Sequence, residues 1–165
     1  MKQLTNQRGV ALMGVLVAVI ILGLMAGIAG STWQTVVQQS KEQELLWRGS
    51  QYRDAIESYY KSTKSGSVAT LPGELELLVR DSRSVGTLRH LRKLYPDPMT
   101  GEDWVLIKDP AGKISGVRSS SLLEPFKKDN FATENKDFAG KQTYSEWEFV
   151  FAAPAAKKKT TDKTQ

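Results

Sequence analysis

The chain has 165 residues, 40% apolar and 25% charged, with no cysteine and a formal net charge of +5. These proportions exclude collagen-like, disulfide-stapled and wholly disordered chains, and they suit one domain with a modest core. Residues 1–9 hold two cations and no anion, residues 157–165 hold four lysines against Asp162, and the 147 residues between them carry 17 cations and 17 anions. The excess charge is therefore terminal, which argues against a basic face that would hold nucleic acid.

Between Arg8 and Lys41 no side chain ionises, and Val10 to Ala29 is an unbroken run of twenty apolar or glycine residues. As a helix rising ~1.5 Å per residue, such a run spans ~30 Å, the thickness of a bilayer's hydrocarbon core. Lys2 and Arg8 ahead of it predict a cytoplasmic N-terminus and a single pass, with everything after about Ser31 outside. Three readings of the segment compete. One is a cleavable secretory signal ending at Gly27-Ile28-Ala29, and the second is a simple anchor. The third rests on Gln7-Arg8-Gly9-Val10-Ala11-Leu12, which resembles the site where prepilin peptidase cuts after glycine.

No proline interrupts the chain from Ser31 to Lys61, and Leu45, Tyr52, Ala55, Ile56, Tyr59 and Tyr60 recur at helical spacing. Lys41, Glu42, Glu44, Arg48, Arg53, Asp54 and Glu57 are assigned to a wet face. One helix from Val10 to about Lys61 is predicted, ended by turn-forming Ser62–Ser67. A short helix is expected after Leu71-Pro72-Gly73, and a second, capped by Thr87, carries Leu88, Leu91, Leu94 and Tyr95. Trp104–Ile107 and Ile114–Ser119 read as a hairpin around Asp109-Pro110-Ala111-Gly112, and Tyr144–Phe151 reads as a third strand. Between them residues 122–143 are loop, with Phe126, Phe131 and Phe138 as anchors. The fold class is α+β: a long helix whose second half is covered by a small antiparallel sheet.

This arrangement is type IV pilin-like, and further segments resemble type II secretion pseudopilins related to the major one. They are Leu88–Tyr95, Asp97-Pro98-Met99-Thr100-Gly101 with Trp104, Gly112–Val117, Phe138-Ala139-Gly140-Lys141 and Tyr144-Ser145-Glu146-Trp147. The resemblance implies a leader at residues 1–9, a transmembrane half-helix at 10–30, a periplasmic domain at 31–151 and a disordered lysine-rich tail at 152–165. It also implies cleavage between Gly9 and Val10, N-methylation of Val10, and helix packing in a filament at Gly14, Gly23 and Gly27. Partners would be other pseudopilins, prepilin peptidase, an inner-membrane assembly platform and an exported substrate. The role would be structural, not enzymatic, in a periplasmic pseudopilus. A minor pilin of a pilus or competence system, or a simply anchored periplasmic binding module, are the alternatives. The chain departs from the family pattern at Gly14, where most members carry glutamate, and at Ser31, where many have proline; a minor or divergent subunit is implied.

Little in the sequence carries other chemistry. His90, the only histidine, lies among Arg89, Arg92 and Lys93 and is assigned a surface or packing role. Ser119–Ser121 has no evident base, and no phosphate-cradling glycine motif occurs. No cofactor is expected; calcium held by Asp97, Glu102, Asp103 and Asp109 is the alternative considered, and it lacks a dense ligand spacing.

Overall fold

The computed structural model describes residues 6–63, 68–83 and 88–153, with the surroundings of residues 6–8 and 26–32 left out. The 56-residue helix α1 covers Asn6–Lys61, free of proline throughout. Its last carbonyls, which have no partner within a helix, are taken up by hydroxyls that follow. Ser62 Oγ donates to Tyr59 O at 2.9 Å and Thr63 Oγ1 donates to Tyr60 O at 3.0 Å. The chain divides into two units, residues 1–40 and 41–165, so α1 contributes residues to each.

In the first unit, the apolar side chains described on α1 run from Val10 to Met25 and resume at Trp33, Val36 and Val37. Among the described residues no helix is long and apolar enough to cross a membrane. The expected single-pass span, with its cytoplasmic and periplasmic sides, is therefore overturned. The side chains of the remaining apolar run, Ala26–Ala29, lie outside the described residues.

In the second unit, α1 presents Leu45, Gly49, Tyr52, Ala55, Ile56 and Tyr59 as one buried stripe. A three-stranded antiparallel sheet lies in the order β1 (Val105–Lys108), β2 (Ile114–Arg118), β3 (Glu148–Val150). Asp109 closes the β1–β2 turn, its Oδ1 accepting from the N–H groups of Ala111 and Lys113 at 2.9 and 2.8 Å, while Gly112 takes φ +76°. Val117 pairs with Phe149, and Phe149, Trp147, Ile114 and Val117 are fully buried with the helix stripe. At Gly49 the Phe149 ring lies where a Cβ would stand, so the missing side chain is what lets that ring pack on the helix.

The α+β class with a small antiparallel sheet is as expected, but several elements differ from expectation. The first short helix shrinks to α2, Glu76–Val79. The second is absent: Leu88 forms a bridge with Asp81, and the N–H groups of both His90 and Leu91 donate to Leu78 O at 2.8 Å. Tyr95 is held by distant side chains, its N–H donating to Tyr52 Oη at 2.9 Å and its carbonyl accepting from Tyr52 Oη and Trp104 Nε1. Pro96 adds a steric bias against helix at Tyr95. Thr87, Ser65–Ser67, the first five residues of the expected leader and the expected tail from Pro154 lie outside the described residues.

The third strand begins late because Tyr144–Glu146 forms a 3-10 turn, whose Ser145 N–H donates to Ser121 O at 2.9 Å. Phe138 closes the 3-10 helix Thr133–Phe138 and stacks on Trp147 at 5.4 Å. Phe131 meets both rings edge-on, whereas Phe126 is 45% exposed and anchors nothing in the core.

Candidate functional site

The sequence-predicted site residues all fall on the first unit's stretch of α1, and they share one property. Twelve large apolar side chains from Val10 to Met25 are 51–72% exposed, all round the helix rather than along one stripe. A helix apolar on every side is the kind that is surrounded by other apolar groups. Val10 stands beside Gly9 on this surface. A Cβ built at Gly9, Gly14 or Gly23 would meet nothing within 4 Å. These glycines thus leave shallow notches on an uncovered surface, the form that lets another helix backbone come close. The surroundings of Gly27 lie outside the described residues.

The second unit holds buried charge that the pattern assigned elsewhere. Glu42, placed on the wet face, is 4% exposed. Its carboxylate accepts from the Phe126 N–H at 2.8 Å, from the Lys127 N–H at 3.2 Å and from Tyr144 Oη at 2.8 Å. One carboxylate thus pins a loop and a 3-10 turn to the helix. A signal was present: Glu42 lies three residues before Leu45 on the stripe that Gly49 and Tyr52 continue.

Asp97 is fully buried and accepts from Ser119 Oγ at 2.6 Å, the Met99 N–H at 2.9 Å and Thr100 Oγ1 at 3.1 Å. Gly101, at φ +80°, completes the turn. The Asp-Pro-Met-Thr-Gly segment is thus a hydrogen-bonded knot tied to the residue after β2. Asp97 and Asp109 spend their oxygens on N–H and O–H donors, and among the described residues no three His, Cys, Asp or Glu side chains converge to hold a metal.

Asp81 is the third buried carboxylate. Arg83 grips it through Nε at 3.0 Å and Nη2 at 2.9 Å, and the backbone N–H of Arg83 adds a third bond at 2.9 Å. These bonds outweigh the cost of burial and hold the carboxyl at about 2, below its usual 3.8. The Arg83 guanidinium also lies 3.4 Å from the centre of the Tyr59 ring. His90 belongs to this cluster rather than to the surface: its side chain is 2% exposed and meets Tyr59 edge-on at 5.5 Å. No family model, no curated protein and no solved structure matches the chain.

Proposed function

We propose that the chain is a structural subunit of a pseudopilus-type filament in protein secretion, with a type IV pilin-like pairing of helix and sheet. The single observation that carries this reading is the sheath of exposed apolar side chains from Val10 to Met25. Burying one such side chain contributes ~2 kcal/mol, so covering four of the twelve would contribute on the order of 8 kcal/mol before association costs. Helices of the same kind on neighbouring subunits are the cover the reading requires, entering at the notches of Gly14 and Gly23. Cleavage after Gly9 and methylation of Val10 are the processing steps, suggested by the Gln7–Leu12 segment. Other pseudopilins, prepilin peptidase and an assembly platform are the partners it calls for. Gly14, in the place of a glutamate, makes this a minor or divergent subunit, because glycine supplies no carboxylate for a neighbour's N-terminal amine.

Mass spectrometry of the mature chain tests the processing, with N-methylated Val10 expected as the first residue. A chain that keeps Met1, or begins at Gly30, would sink the reading. Electron microscopy of cells overproducing the protein with its assembly partners tests the polymer directly.

A further inference from the structure

A serine on α1 stands against the buried histidine. Ser58 is exposed on the helix, and its Oγ lies 2.9 Å from His90 Nδ1. The opposite ring nitrogen, Nε2, lies 3.3 Å from Asp81 Oδ2. Asp81 is held ionised by Arg83 and can only accept, so in the neutral ring the proton resides on Nε2. Nδ1 is left with a lone pair aimed at the Ser58 hydroxyl. Hydroxyl, imidazole and carboxylate thus form a line of the kind that activates a serine, with the ring nitrogens in the reverse of their commonest order. The ring is fixed by the Tyr59 edge contact and by burial. Ser58 and His90 open on a cleft of about 530 Å³, which Lys61 and Arg89 also line, alongside the carboxylates of Asp54 and Glu57.

We propose that Ser58 is an activated nucleophile toward small carboxyl esters, with His90 as its base and Asp81 as the positioning residue that sets the tautomer. This activity is independent of the structural role above. Ser58 Oγ attacks the ester carbonyl carbon as its proton passes to His90 Nδ1. The bond to the leaving alcohol then breaks, and the alcohol departs with that proton. Water, deprotonated by the same nitrogen, cleaves the acyl–serine bond, releasing the acid and restoring the hydroxyl. Arg89 supplies positive charge to the cleft in which the oxyanion forms, while the Lys61 ammonium is paired with Glu57.

The test treats the full chain with p-nitrophenyl acetate and maps the adduct by mass spectrometry. Acetyl-Ser58 is expected, absent in Ser58→Ala and formed about 100-fold more slowly in His90→Gln. Acetylation confined to lysines, or Ser58 labelled as fast in His90→Gln, overturns the proposal. Nitrogen-15 NMR of the unmodified wild-type ring provides a readout that survives any folding defect in a variant. A proton on Nε2 and a bare Nδ1 are expected, and a proton on Nδ1 overturns the assignment. In Asp81→Asn the tautomer should shift and labelling should slow together; labelling at the wild-type rate with the tautomer reversed also overturns it.

Discussion

The two stretches of α1 are made by the same backbone and ask opposite things of their surroundings. From Leu45 to Tyr59 the buried apolar residues keep to one stripe, with Trp47 exposed beside it, and aromatic side chains of the same unit cover that stripe. From Val10 to Met25 they occupy every side, and the described side chains remain open. Helix propensity does not separate the two, since both are helical. The arrangement of apolar residues around the axis does. A stripe matches the single face that a small sheet can cover, and an all-round sheath calls for neighbours on several sides. The second region should therefore register substitutions as stability, and the first as association.

Gly49→Leu should give the largest effect, because the new side chain would meet the Phe149 ring. A loss of about 3 kcal/mol is expected in chemical denaturation, even after the gain in helix propensity. A variant as stable as wild type would break the account of how helix and sheet meet.

Glu42→Ala comes next. It strips the partner from two backbone N–H groups and the Tyr144 hydroxyl, and about 2–3 kcal/mol should be lost. Glu42→Gln, which keeps an acceptor oxygen, should recover part of that difference.

Asp81 gives a smaller, pH-dependent effect. Its folded pKa of about 2 lies below the ordinary 3.8, so its contribution is complete above the unfolded value and vanishes as pH falls through the folded one. The shift corresponds to about 2 kcal/mol at neutral pH. Asp81→Asn should therefore lower the urea midpoint at pH 7, and the gap to wild type should close toward pH 2. A gap that stays constant with pH would assign the loss to packing.

Val17→Ser should have the least effect on stability. Its side chain is 54% exposed, so unfolding of the second unit should move by less than about 0.5 kcal/mol. The same change should weaken self-association, measured by sedimentation. Loss of stability with association intact would reverse the assignment of the two stretches.

Features that depend on near neighbours in sequence were legible in advance. The Leu45–Tyr59 stripe follows from helical spacing, and the Asp109–Gly112 turn follows from a side chain that bonds its own backbone. What could not be read depended on partners far along the chain. Leu88–Tyr95 has a plausible helical pattern, but Tyr52 and Trp104 claim the backbone of Tyr95. Ser58, Asp81 and His90 meet only because the chain returns to the helix, and nothing in their spacing announces it. Residue type puts Glu42 on the wet face of an amphipathic helix, whereas its position three residues before Leu45 puts it on the buried stripe.

The carboxylate of Glu42 also orders events in time. Its bonds reach Phe126 and Tyr144, 84 and 102 positions away, so they close loops that span most of the second unit. Contacts at that separation repay their loop-closure entropy only after the intervening hairpin and aromatic cluster have gathered. Glu42 thus belongs to the late side of the folding barrier, where a bond chiefly slows escape from the native state. The residue that joins three distant segments acts as a clasp fastened last.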